Sequence, residues 1–335
     1  MEPNPRRPVQ SALLLPIVFL GTLVLLVGAA AGLGVFRDAG VPDPSGPAST
    51  AIPSTTPTTH PTVTGSPVAT TPPTVTLVGA GDIATCSGDA DEATANLLDG
   101  IDGTVFTAGD NAYDSGTADE YRDCYAPSWG RHLARTLPSA GNHDHRTKGL
   151  AGYRDAFGSR AGPADASWHA TELGGWDVIV LASNCGAIGG CGPESPQGTW
   201  LAAELAASRT RCTVAIWHHP RFSSGFHGND RDVDPFWQVL YAAGVDVVIN
   251  GHDHDYERFA PQDPDGRPAT DGIREFVVGT GGAPLRAFEA PVANSVIRSS
   301  LAHGVLKMTL HQASYDWQFI SVDGSFSDHG SATCH

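Results

Sequence analysis

Lysine is almost missing from this chain: Lys148 and Lys307 are the only two, and Lys plus Arg total 20 against 36 Asp plus Glu. The formal charge of −16 sets a field that repels nucleic acid and anionic membrane surfaces, so no nucleic-acid binding is expected. A phosphorylated ligand would need positive charge supplied locally. No Cys-x-x-Cys pair occurs, which argues against a zinc ribbon or a redox motif. There is no Gly-x-Ser-x-Gly elbow, no Walker phosphate loop and no Gly-x-Gly-x-x-Gly run, so nucleophilic serine catalysis is a weak alternative. Charged residues are 17% of the chain, too few for a disordered polyelectrolyte, and 41% hydrophobic residues with 39 Gly and 25 Pro describe a loop-rich globular chain.

Charge is also absent from Pro8 to Phe36, between Arg6-Arg7 and Arg37-Asp38. That order reads as N-terminus inside and remainder exported, with residues 1–37 as an N-terminal membrane anchor or signal segment. The apolar stretch from Ala12 to Val35 exceeds the roughly 20 residues that span a bilayer, which favours an anchor. Ala29-Ala30-Ala31 offers the small residues that a signal peptidase reads, in which case the product is secreted. No lipobox cysteine follows. Residues 38–73 are mostly Pro, Thr, Ser, Ala and Gly with Asp43 as the lone charge after Asp38, and form a linker. At about 3.1 Å per residue in an extended polyproline path, it holds the domain at residues 74–335 up to the order of 100 Å from a membrane.

All six cysteines, Cys86, Cys124, Cys185, Cys191, Cys212 and Cys334, lie in that domain, an even number that suits disulfides in an exported protein. Cys185 and Cys191 flank a short glycine-rich loop that is able to close locally; the other four are not paired by sequence alone.

Five apolar runs in the domain each stop at a small residue and then deliver a metal-binding side chain. Val75-Thr76-Leu77-Val78 leads to Asp82, and Thr104-Val105-Phe106-Thr107 to Asp110-Asn111-Ala112-Tyr113. Leu137-Pro138-Ser139-Ala140 leads to Asn142-His143-Asp144, Cys212 to Trp217 to His218-His219-Pro220, and Val245 to Ile249 to His252-Asp253-His254. Helices are expected at residues 91–98, 199–207 and 233–243, so strands and helices alternate in an α/β arrangement, where ligands gather at the carboxyl ends of strands. The converging groups are oxygen and imidazole donors without a thiolate, a set for Fe, Mn or Zn, and seven of them suit two ions.

These blocks, Gly81-Asp82, Gly109-Asp110-Asn111-Ala112-Tyr113, Gly141-Asn142-His143-Asp144, His218-His219-Pro220 and Gly251-His252-Asp253-His254, resemble those of calcineurin-like metallophosphoesterases. The variant they resemble is the purple acid phosphatases, because Ala84 stands where a second-ligand His is usual and Tyr113 takes its place. In purple acid phosphatases a Gly is usual at the position of Ala84. The resemblance implies a four-layer αββα sandwich of two packed mixed β-sheets. It further implies that Asp82, Tyr113 and His254 hold Fe(III), that Asn142, His218 and His252 hold a divalent Zn, Mn or Fe ion, and that Asp110 bridges them. His143 then contacts the substrate phosphate or protonates the leaving oxygen, with Asp144 orienting its ring, and His227 is a further substrate contact. His145, His219 and Asp253 are expected behind the ligands or facing solvent, Arg221 and Tyr256 against substrate or in packing, and Trp168, Trp176, Trp200, Trp217, Trp237 and Trp317 in the core.

The function implied is an exported, binuclear acid phosphatase that hydrolyses small phosphate monoesters by attack of metal-bound hydroxide. A phosphodiesterase or nucleotidase with the same blocks is the first alternative, its choice of substrate made by loops such as residues 184–197. A non-catalytic cell-surface binding module is the second; a chain of that kind is expected to have lost some ligand, and here every position is filled.

Overall fold

Thirteen short strands assemble in the computed structural model, which describes residues 74–335. In chain order they are β1 (Val75–Ala80), β2 (Thr104–Ala108), β3 (Thr136–Ser139), β4 (His169–Leu173), β5 (Trp176–Val180), β6 (Cys212–Ile216) and β7 (Val247–Asn250), then β8 (Tyr256–Phe259), β9 (Arg274–Val278), β10 (Ser295–Ser299), β11 (Gly304–Leu310), β12 (Ser314–Ser321) and β13 (Ser327–Thr333). Six form a sheet in the order β13-β12-β11-β1-β2-β3, and seven a second in the order β10-β8-β9-β7-β6-β5-β4. Both are mixed. The parallel triplet β1-β2-β3 carries antiparallel β11 on its other side, and parallel β5-β6-β7-β9 is flanked by antiparallel β4 and β8.

Side-chain alternation explains how the sheets stack. On β5, β6, β7 and β9 the residues Val178, Val214, Ile216, Val247, Ile249, Phe276 and Val278 enter the core shared with Leu77, Val105, Phe106 and Leu306 of the first sheet. Their neighbours Ile179, Ala215, Trp217, Val248 and Val277 point the opposite way, onto Phe236, Trp237 and Leu240 of a covering helix. Strands buried on both faces need apolar residues at successive positions, as the sequence has here. The helices are α1 (Ala90–Asp99), α2 (Ala118–Glu120) running on into a π-helical turn at Tyr121–Tyr125, α3 (Ala151–Phe157), α4 (Pro196–Ala207) and α5 (Asp234–Ala242). The result is the four-layer sandwich expected.

Three of these helices match the sequence expectation. α4 starts earlier than expected because Ser195 Oγ accepts from Gly198 N at 3.0 Å and Pro196 occupies the first turn, where its missing N–H goes unused. α3 was not anticipated: Leu150, at φ 57 and without a capping side chain, precedes it. Trp129, Trp176, Trp217 and Trp237 are fully buried.

A polar lock ties the two sheets together. Asp328 of β13 accepts from Arg258 Nε at 2.6 Å and Tyr256 Oη at 2.7 Å, both on β8, and from Trp317 Nε1 of β12 at 3.2 Å. Disulfides join Cys185 to Cys191, as the loop suggested, and also Cys86 to Cys124 and Cys212 to Cys334. None of the helices among the described residues is long and apolar enough to cross a membrane. The segment from Ala12 to Val35 and the linker lie outside the described residues.

Candidate metal centre

Every one of the five runs delivers its side chain to one place. Asp82 follows β1, Asp110 and Tyr113 follow β2, Asn142 follows β3, His218 follows β6, and His252 and His254 follow β7. Asp82, Asp110 and His252 sit at φ 58, 51 and 72, in the left-handed region that side chains other than glycine rarely adopt. Only five non-glycine residues do so among the described residues, and three of them are predicted ligands; strain of this kind persists where the surroundings enforce it and concentrates at functional sites. Glycines make room. A Cβ on Gly141 would lie 2.2 Å from Asp110 Oδ1, and one on Gly109, itself at φ +87, would lie 2.5 Å from His218 Nδ1.

The donor atoms form two groups that share one oxygen. In the first, Tyr113 Oη lies 2.8 Å from Asp82 Oδ1, 3.1 Å from Asp110 Oδ2 and 3.3 Å from His254 Nε2, with His254 Nε2 3.4 Å from Asp82 Oδ1. In the second, His218 Nε2 lies 3.3 Å from the same Asp110 Oδ2, 3.0 Å from Asn142 Oδ1 and 3.2 Å from His252 Nδ1. Ligands around one ion with bonds of roughly 2.0–2.2 Å stand roughly 3 Å apart, so the residues present fit two ions on either side of Asp110. Backbone carbonyls fix the rings: His218 Nδ1 is 2.9 Å from Ala108 O and His254 Nδ1 2.9 Å from Pro284 O, so each Nδ1 donates and each Nε2 turns its lone pair inward.

Without cations these groups perturb one another. Burial alone would lift the Asp110 carboxyl, but the adjacent His218 and His143 hold it well below the usual carboxylate range, and Asp110 in turn draws His218 up to about 9 against the burial that would lower it. Burial and the Asp110 and Asp82 carboxylates push the Tyr113 phenol well above 10. Burial and the neighbouring imidazoles push His252 down, favouring the neutral form that binds metal.

His143 lies at the rim. Its ring is 4.3 Å from that of Tyr113, its Nδ1 faces Asp114 O, and its Nε2 lies 3.2 Å from Arg146 Nη2 and 3.8 Å from Asp110 Oδ2. Asp144 does not orient that ring. Its buried carboxylate accepts from Tyr121 Oη at 2.7 Å, Gly141 N at 2.8 Å and Asn111 Nδ2 at 3.0 Å, and so fastens the loop after β3 to the loop after β2. His227 stacks on His252 with centroids 4.1 Å apart, and its Nε2 accepts from Arg286 Nη1 at 2.6 Å. Asp253 lies behind the ligands, accepting from His227 N at 2.7 Å and from Ser223 Oγ. His219 packs 4.4 Å from His252, held by Ser183 Oγ at 2.7 Å, and burial with the nearby His218 pushes it down to about 3.

Two residues left open between substrate and packing belong to packing: Tyr256 is buried against Asp328, and Arg221 is buried against Asp234 and Phe222. Sequence reasoning missed Arg146 and Arg286, the cations at the mouth, since neither falls within a ligand block. His227, which the resemblance named, lies beside His252.

Known proteins are similar to this chain in sequence and fold. Purple acid phosphatase 18 of Arabidopsis thaliana is 30% identical over 152 residues, which cover 42% of this chain and 34% of that protein, so the chain spans about a third of the length of such curated relatives. The structure of a purple acid phosphatase from yellow lupin (Lupinus luteus) seeds superposes with a TM-score of 0.63 at 18% identity, covering 78% of this chain and 54% of that one. GAP50, the anchor in the inner membrane complex of Plasmodium, has the same fold at a TM-score of 0.62 and 12% identity, over 78% of this chain and 89% of that one. The sequence profile of the calcineurin-like phosphoesterases matches residues 76–256, the stretch that holds all five ligand blocks, and the chain belongs to that family.

Proposed function

We propose that the chain is an exported, metal-dependent phosphoric-ester hydrolase that acts on phosphate monoesters. The observation that carries the reading is Asp110 Oδ2, which faces Tyr113 on one side at 3.1 Å and His218 on the other at 3.3 Å, so that one carboxylate serves two donor groups. Fe(III) suits Asp82, Tyr113 and His254, whose carboxylate and phenolate are hard anions; a divalent Zn, Mn or Fe ion suits Asn142, His218 and His252. Two such ions polarise a phosphoryl group, acidify water and supply the positive charge this acidic chain lacks.

The chain's own groups do the rest. His143 in its imidazolium form keeps its Nδ1 proton on the Asp114 carbonyl and gives its Nε2 proton to the leaving oxygen, ending as the neutral ring. Arg146, 3.2 Å from that nitrogen, adds charge for the phosphate oxygens. Asp144 keeps the loop that carries Asn142 and His143 in place, and His227 borders the divalent side. Three disulfides suit an oxidising compartment and support export, with the catalytic domain held outside the membrane by the N-terminal segment or released if that segment is cleaved.

The test is metal content and the visible spectrum of the full chain made in an oxidising host. About two ions per chain, with a broad tyrosinate-to-iron band that disappears in Tyr113→Phe, is the expected result. Two zinc or manganese ions in a colourless protein would remove the iron assignment. A folded chain that takes up no metal would defeat the proposal.

A further inference from the structure

Phe226 is 59% exposed, one of four large hydrophobic side chains so displayed among the described residues; the other three, Val296, Leu301 and Val322, lie on or after the late strands. An aromatic ring left in water forgoes the burial that favours its kind and is open to a partner that covers it. The loop that presents it is fixed. Asp253 accepts from His227 N at 2.7 Å and Gly228 N at 3.2 Å, and Glu257 accepts from Ser224 N at 2.7 Å and Ser224 Oγ at 2.6 Å.

Planar groups continue inward from it. The Phe226 and His227 rings are 5.2 Å apart, His227 lies 4.1 Å from His252 at 30° to it, and the Arg286 guanidinium stands 5.3 Å over Phe226 while donating to His227 Nε2 at 2.6 Å. Arg286 is itself anchored on the ligand loop, its N–H donating to His254 O at 3.0 Å. It also lines a cavity of about 430 Å³ whose walls include Tyr113, His143 and His254. A group leaving from a phosphate held at the ions and protonated by His143 therefore shares a cavity with Arg286, beside the exposed ring.

We propose that Phe226, His227 and Arg286 form a leaving-group subsite that selects phosphate esters of planar aromatic alcohols over those of aliphatic ones. The proposal rests on the phosphoesterase reading above. The physical basis is stacking: flat π-systems and guanidinium groups pair face to face or edge to face with an aromatic ring and gain nothing comparable from a glycerol or sugar chain.

The test uses two phosphonates that are not hydrolysed, phenylphosphonate and methylphosphonate, titrated calorimetrically into the metal-loaded full chain, its Phe226→Ala variant and its Arg286→Lys variant. Aromatic contacts of this kind correspond to about 2- to 12-fold in affinity, and two together lead us to expect a preference for phenylphosphonate of about tenfold in the natural chain. Phe226→Ala should bring the ratio close to one, and Arg286→Lys, which keeps the charge and loses the flat fork, to an intermediate value. The kcat/KM ratio for p-nitrophenyl phosphate over glycerol 2-phosphate should fall in parallel, through KM. A ratio that neither substitution changes, in variants with their metal content intact, overturns the subsite and leaves the phosphoesterase standing. Failure of the metal-loaded chain to bind either phosphonate or to hydrolyse either ester overturns both.

Discussion

The Tyr113 hydroxyl donates to the Asp82 carboxylate at 2.8 Å, with both groups buried. Burial and two carboxylates hold the phenol protonated well above pH 10, so phenolate forms only when a cation replaces that proton. Adding ferric ion to the chelated chain should release the Tyr113 proton, and Tyr113→Phe should release about one fewer per ion bound. Titration in two buffers of different ionisation enthalpy measures this. Equal proton release by the two proteins would place Tyr113 outside the coordination sphere.

Asp110 and Asn142 differ in what they hold. Asp110→Asn removes the charge that both donor groups share and should take the chain from about two ions to none at submicromolar free metal. Asn142→Ala touches the His218 side alone and should leave the ion at Tyr113 bound. Elemental analysis after gel filtration distinguishes them, and equal losses would argue against a shared carboxylate.

His143 and Asp144 are adjacent in sequence and separate in role. His143→Ala should lower kcat by about 10²- to 10⁴-fold with metal content intact. Asp144→Asn turns an acceptor of four donors into a partly donating amide, and should cost about 2–4 kcal/mol in urea unfolding as well as activity. Loss of both ions in His143→Ala would instead make it a ligand.

Asp328 sets an acid limit on stability. Burial alone would raise its carboxyl, but Arg258, with Tyr256 and Trp317, holds it below the ordinary value of 3.8. A folded-state pKa depressed in this way adds stability above the unfolded carboxylate's pKa, and that stability is lost as pH falls through the folded value. Asp328→Asn should cost about 3 kcal/mol at pH 7, with the difference from the natural chain shrinking below about pH 4. Urea midpoints at the two pH values test the sign.

The residues of the candidate centre were legible because each follows a strand, where the chain must leave the sheet and the sequence shows a small residue. Asp82 after Gly81 and Asp110 after Gly109 carry that mark in a few residues. The same runs show the α/β alternation, while the layer order came with the family resemblance. What was not legible depends on contacts between distant residues: the pairing of Cys212 with Cys334, across 122 positions, and of Cys86 with Cys124 has no local signature. Arg286 is hidden for the same reason, as only the fold brings it beside His227. Asp144 misled because the resemblance set it against the His143 ring, whereas the helical turn at Asp144–Arg146 sends the two side chains apart.

β1, the strand that ends in Asp82, takes one neighbour from β2 nearby and the other from β11, more than two hundred residues on, where Val75 pairs with Leu310. The sheet is therefore closed by strands made long after β1, and contacts of such sequence separation make folding slow. A chain still being synthesised holds β1 with one edge unpaired, open to strand exchange and to chaperones that bind extended segments. A truncation before Gly304 would keep every residue of the candidate centre and still be prone to aggregation.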